Sequence, residues 1–269
     1  METFTYFVPV DFTECCYDTL QYTASLARNS GGSVKLFHVV DLEEIPESDN
    51  PVVVTFAIDR HLQEVQKKMK SLREIILMEG ISVEDEIVMG NIKLELIKQI
   101  ESERPSVIVI GKEPNTQLTS HSLLTYLTRN TTSPVLVVPQ SYNSKLSSRA
   151  ILTLDMDFTK TGRFSLLSEI TEKILHLFSV LEIRSLHFSN GKGAVDWINT
   201  MRSKGGVNPN VLADGNNDRI NQLLDFIRDA KIDLVCIREK HSIFNKLFNQ
   251  NIGWHLPRQV ERPVLVITL

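Results

Sequence analysis

Cysteine is scarce, and what there is makes no framework. Cys15 and Cys16 are adjacent and Cys236 stands alone, so no set of disulfides can be drawn and a reducing cytoplasm is the expected setting. Long hydrophobic runs are also missing. The longest fall far short of the roughly 20 apolar residues that span a bilayer, so no membrane association is expected. The opening residues METFTYFVPVDF carry neither a basic n-region nor a cleavage site, which argues against a secretory signal there. Positive charge is not in excess. A net charge of −4 and a pI near 6.0 give no electrostatic reason to expect nucleic acid as a partner. G-x-S-x-G, C-x-x-C, a Walker lysine loop and H-E-x-x-H do not occur, so no catalytic residues are assigned. Glu43-Glu44 and Glu84-Asp85-Glu86 have no His or Cys at ligand spacing beside them. They read as solvated faces, and no metal site is expected.

What the chain does have is one stretch written twice. Residues 105–139 read PSVIVIGKEPNTQLTSHSLLTYLTRNTTSPVLVVP, and residues 232–267 read IDLVCIREKHSIFNKLFNQNIGWHLPRQVERPVLVI. Each starts with an aliphatic run, Val107 to Ile110 or Leu234 to Ile237, and passes through a polar loop and a helix-like segment. Each ends in a second run opened by proline, Pro134 to Val138 or Pro263 to Ile267. Short all-aliphatic runs suit strands buried on both faces of a parallel sheet, and the segment between them is the crossover of a βαβ unit.

The rest of the chain arranges itself around that repeat. Phe4 to Val10 is an aromatic and β-branched first strand, and Asp11 or Thr13 is placed to cap the helix that follows to Arg28. Gly31-Gly32 stops that helix, Val34 to Val40 is the second strand, and residues 41–54 read as a loop. Leu62, Val65, Met69, Leu72 and Ile76 share one face of a long helix from Phe56 to Met78. Ile81 to Val88 alternates apolar and acidic residues in part, the pattern of a strand with one wet face, and Ile92 to Ile100 is a short helix. The Ser- and Asn-rich stretch 140–148 has linker composition.

Beyond it a strand from Ala150 to Leu154 is followed by Met156-Asp157-Phe158-Thr159, an echo of Val10-Asp11-Phe12-Thr13. A helix over Leu166 to Leu177, a strand over Ile183 to Phe188, a helix near Ala194 to Met201, a weak strand over Val207 to Ala213 and a helix over Arg219 to Ala230 complete the second copy. It is shorter inside, most simply by losing much of the loop and long helix after its second strand. The expected fold is α/β: two tandem five-stranded, doubly wound parallel-sheet domains at 1–140 and 150–269, with a linker at 141–149.

These residues carry a family resemblance. Val8-Pro9-Val10-Asp11, Phe37-His38-Val39-Val40, the strand ending in Gly111, and Ser122 followed by Pro134-Val135-Leu136-Val137-Val138 make the first copy resemble the universal stress protein family. The second copy is similar through Leu234 to Arg238, Ser242 to Asn249 and Pro263 to Ile267. The resemblance implies a Rossmann-like fold of the adenine nucleotide alpha hydrolase type. It also implies a cofactor-binding crevice at Asp11, Val39, Val40, Gly111 and Ser122, with Asp11 beside adenine and ribose. It further implies final strands, Pro134 to Val138 and Pro263 to Ile267, that pair within the chain or in a homodimer.

Family members that bind ATP carry G-x2-G-x9-G and then Ser or Thr, because backbone N–H groups must approach phosphate oxygens unobstructed. Here Gly111 stands at the first glycine, Pro114 at the second, His121 at the third and Ser122 at the hydroxyl, and the loop is shorter. Proline has no N–H to donate. In the second copy the positions hold Arg238, Gln250 and Asn251, with Gly253 out of register. The expectation is a stress-response binding module without the usual ATP. The alternative is an ATP- or AMP-binding protein or slow ATPase working through the first copy.

Side chains around these positions have plainer readings. Asp11 reads equally as a helix cap, His38 as a packed strand residue, Cys15-Cys16 as an inert buried pair and Cys236 as core. His121 and Ser122 lack a visible acid partner for a triad. Lys112, Arg129, Arg238 and Lys240 are the cations available to replace the missing glycines.

Overall fold

A computed structural model describes residues 3–41, 49–113, 119–142, 149–154, 169–170, 172–177, 180–185, 209–213, 227, 232–239 and 260–268. The first half alternates strictly. Its elements are β1 (Thr5–Pro9), α1 (Glu14–Ser30), β2 (Ser33–Val40), α2 (Pro51–Met78), β3 (Val83–Met89), α3 (Ile92–Glu103), β4 (Val107–Lys112), α4 (Thr119–Asn130) and β5 (Val135–Pro139). The second half contributes β6 (Arg149–Leu154), β7 (Val180–Ser185), β8 (Pro209–Ala213), β9 (Leu234–Glu239) and β10 (Val264–Thr268). A short 3-10 turn occupies Leu175–Leu177.

All ten strands form one sheet in the order β3-β2-β1-β4-β5-β10-β9-β6-β7-β8. Read from its own edge, the second half runs β8-β7-β6-β9-β10, the same order as β3-β2-β1-β4-β5. Pairing is parallel within each half and antiparallel at the seam, where Val264 faces Val137 and Val266 faces Val135. That antiparallel seam has a geometric consequence. The carboxyl ends of the first half's strands and those of the second half's strands point to opposite ends of the sheet.

Alternation along the strands separates two cores. Tyr6 and Val8 of β1 join α1 and α2 side chains such as Leu20, Met69 and Leu72 on one face. Phe7, Phe37 and Ile108 pack on the other face with Leu96 and Ile100 of α3 and Leu127 of α4. Each core continues through the seam, one through Leu136 and Leu265, the other through Val135 and Val264. The doubly buried aliphatic runs are thus the middle of the sheet, as a parallel sheet covered on both faces requires.

Helix ends follow local chemistry. Thr13 caps α1 by accepting from the Cys16 N–H at 3.2 Å, and Gly31 ends it in the left-handed region at φ +67. The stretch 41–54 is not all loop: α2 begins at Pro51 rather than near Phe56. The Asn50 side chain accepts from the Val52 N–H at 3.0 Å, and proline at the first helical position loses no bond there. The strand expected over Ile183 to Phe188 begins earlier, at Val180, because Arg149 to Leu154 pair with Val180 to Ser185 along their whole length. The helices expected near 194–201 and 219–230, apart from residue 227, lie outside the described residues, whereas of 166–177 residues 169–170 and 172–173 are helical and 175–177 form the 3-10 turn.

β3 is an edge strand. Glu84 and Glu86 line its border and, with Glu103 of α3, surround the buried Lys35 ammonium at 3.7, 3.0 and 3.0 Å. Charge on an edge strand discourages further strand addition. Among the described residues, no helix is long and apolar enough to cross a membrane.

Candidate functional site

In the first half β1 sits between β2 and β4, so the chain runs one way from β1 to β3 and the other way from β4 to β5. A crevice opens beyond the carboxyl ends of strands at such a switch point. One is present here, a cavity of about 630 Å³ lined by the ends of β1, β2 and β4 and by side chains from α1, α2 and α3.

Three of the five residues named from the resemblance line it: Asp11, Val39 and Gly111. Asp11 is exposed at the rim. Its carboxylate accepts from the Thr13 N–H at 3.0 Å and from the Thr13 hydroxyl at 2.8 Å, so it steadies the residue that caps α1. Val40 is fully buried and does not line the crevice; its carbonyl accepts from the Gly90 N–H at 3.1 Å. Ser122 lies in the first turn of α4, with its side chain outside the described residues, as is that of His121. Its neighbour Leu123 reaches the crevice.

Gly111 is needed for a close approach. A Cβ added there would stand 2.6 Å from Cys15 Sγ, 2.8 Å from Thr19 Oγ1 and 3.3 Å from the Cys15 carbonyl oxygen. Helix α1 has settled onto β4 where the side chain would be. The strand register places Arg238 at the matching position, since Gly111 faces Val138 and Arg238 faces Ile267.

The wall beside Asp11 is aromatic. Phe12 adopts a left-handed backbone at φ +59, and its ring lies 4.6 Å from that of His38. His38 Nδ1 is 2.6 Å from the Val10 carbonyl oxygen, which can only accept, so Nδ1 carries the proton. Lys68 of α2 lies 5.4 Å from the Phe12 ring centroid. Phe12, Lys68, His61 and Glu113 line the crevice, yet sequence reasoning did not assign them to it. Lys68 and His61 come from the long helix, far from Asp11 in the chain, and nothing in their local pattern announces the meeting.

Burial, with the negative charges of Asp11 and Glu113 next, pushes the Cys15 thiol up to about 11. Burial raises Cys16 to about 11 as well and Cys236 far higher. Thiols held protonated in this way are poor nucleophiles at neutral pH, which agrees with an inert pair. Lys112 points across the seam, donating to the Val260 carbonyl at 3.4 Å, and burial lowers its pKa. Arg129 is in the last turn of α4, at the end of that helix away from the crevice. Arg238 and Lys240 side chains lie outside the described residues. Among the described residues no group of three or more His, Cys, Asp or Glu is placed to hold a metal ion.

A doubly wound α/β sheet, parallel within each half and with a pocket at the first half's switch point, defines a Rossmann-like α/β fold. The Universal stress protein family model matches residues 6–139, and through that half the chain belongs to the universal stress protein family. A universal stress protein of Methanocaldococcus jannaschii is 28% identical over 148 residues, which is 48% of this chain and 91% of that protein. A solved universal stress protein from Archaeoglobus fulgidus covers 100% of this chain and 99% of its own, with a TM-score of 0.71 at 14% identity. A protein of the universal stress type from Pseudomonas aeruginosa covers 99% of this chain and 93% of its own, with a TM-score of 0.59 at 15% identity. At such identities the two structures establish the shared fold alone.

Proposed function

We propose that this chain is a tandem universal-stress-type binding module of the cytoplasm, acting in stress response and signalling, whose first-half crevice does not take a triphosphate. The observation that carries the reading is the filling of the space at Gly111. On the side where a Cβ would stand, Gly111 is covered by Cys15 and Thr19 of α1, so its missing side chain serves helix packing.

The neighbouring chemistry supports the same reading. Pro114 has no N–H, Lys112 is turned to Val260, and Glu113 brings a carboxylate to the crevice wall two residues past Gly111, where phosphate oxygens would lie. Like charges in a partly buried site repel strongly, because the intervening medium screens them poorly. The module then works through protein contacts. Val52, Val53 and Phe56, exposed at 60%, 51% and 70%, give α2 an apolar tip of the kind that marks interaction surfaces. The edges left by β5 and β10 are used up in pairing with one another, so a homodimer through those strands is not expected.

A second reading, a nucleotide binder or slow ATPase, is favoured by the crevice itself, which has Asp11, Val39 and Gly111 in its wall. A thermal shift separates the two. At a ligand concentration 100 times Kd, linkage stabilises the fold by about 2.7 kcal/mol, a rise of roughly 5–10 °C for a protein of this size. The midpoint is expected to stay unchanged in millimolar ATP with Mg²⁺, ADP or AMP. A rise of that size with ATP overturns the proposal, and a rise with AMP alone establishes the second reading in its phosphate-poor form.

A further inference from the structure

The turn after β5 does more than leave the strand. Ser141 is a non-glycine residue with a left-handed backbone, φ +58, and its N–H donates to Asp18 Oδ2 of α1 at 2.8 Å. The strained turn, closed by the Tyr142 N–H on the Pro139 carbonyl at 3.2 Å, directs Tyr142 back toward the seam. There the Tyr142 ring meets the buried Tyr22 of α1 edge-on, with centroids 5.7 Å apart. On its other side it contacts the second half. Its hydroxyl donates to the Asp233 carbonyl at 3.1 Å and lies 3.4 Å from Asp233 Oδ1, and Arg262 stands over the ring at 5.9 Å. Asp233 in turn exchanges bonds with Arg149, accepting from its N–H at 3.3 Å and donating its own N–H to the Arg149 carbonyl at 2.8 Å. Thus α1, the start of β6, the start of β9 and the approach to β10 all meet at one dipeptide.

Two α/β units joined by a linker ordinarily move and melt separately. The seam ladder here registers only Val264 with Val137, Leu265 with Leu136 and Val266 with Val135. We propose that Ser141–Tyr142 is a pin that locks the second half to α1, so that the ten-stranded sheet unfolds as one cooperative unit. Lys112, bonded to the Val260 carbonyl, is a second and weaker fastening at the same end of the seam.

The chain supplies its own probes. Both tryptophans, Trp197 and Trp254, lie in the second half, while all five tyrosines lie at or before residue 142. Urea unfolding of the full chain, followed by tryptophan emission and by far-ultraviolet circular dichroism, is expected to give superimposed curves. Tyr142→Ala moves the tryptophan transition about 1 M lower and splits the circular dichroism curve into two steps. Tyr142→Phe keeps the ring contacts and loses the bond to Asp233, so it gives a smaller downward shift. Met69→Ala, a core truncation away from the seam, lowers both signals together, as a single unit must. Separated curves in the parent protein overturn the proposal, as does a tryptophan transition unmoved by Met69→Ala. Superimposed curves in folded Tyr142→Ala also overturn it; should that variant not fold, Tyr142→Phe curves identical to the parent's do so.

Discussion

The two halves share a strand order and part company where the strands end. Gly111 and Arg238 occupy the same register, each one residue past an aliphatic run and facing the last residue of the next run. The runs agree because both lie in the doubly covered middle of one sheet, where buried polar groups are costly. The loops obey no such rule, and in neither half do the residues after the strand match a row of open backbone donors. In the first half the single remaining glycine serves the packing of α1.

That contrast can be broken most directly at Gly111. Gly111→Ala places a methyl group against Cys15 and Thr19 and is expected to cost roughly 1–3 kcal/mol, read as a lower urea midpoint. A variant as stable as the parent would mean that α1 does not depend on that glycine. The difference from Arg238 would then again be open to a ligand explanation.

A second test is alkaline lability, which samples both halves. Cys15 and Cys16 are raised from the ordinary 9.0 to about 11, and Cys236 further. A thiol with a raised folded pKa contributes fully below its unfolded pKa. Above it the unfolded chain loses the proton first, so stability falls as pH rises toward the folded pKa. Urea midpoints are therefore expected to be flat up to about pH 8 and to drop steeply from pH 9 to 11. Cys236→Ala should make the drop shallower by removing the second half's share of it. A flat profile to pH 11 would contradict the burial of all three.

The smallest effect sharpens the one large asymmetry of length. Residues 41–82 connect β2 to β3, whereas 186–208 connect β7 to β8, so the shortening of the second copy falls where the sequence placed it. Only the later part of α2 is buried, at Val65, Met69, Leu72 and Ile76. Phe56→Ser at its exposed end should change stability by less than about 0.5 kcal/mol, measured by urea unfolding. A larger loss would show that the tip belongs to the core rather than to a partner.

Much of this was legible in advance, for a physical reason. Strands buried on both faces must be aliphatic throughout, and an amphipathic helix must repeat its apolar residues every turn, so the runs at 107–110, 135–138, 234–237 and 264–267 and the face of α2 announce themselves. What was misread depended on single bonds. Asn50 turned part of an acidic, proline-containing loop into the first turns of α2, and pairing with β6 moved the start of β7.

The sequence alone determined the family and the repeated strand runs, because these rest on residue types at fixed spacing. Only the tertiary structure decided that Gly111 is held by α1, that Val40 is buried away from the crevice, and that Phe12, Lys68 and Glu113 meet in its wall. It also turned the first residues after β5 from linker into contact. Each of these depends on which distant side chain fills a given space, and no local pattern in the chain encodes that.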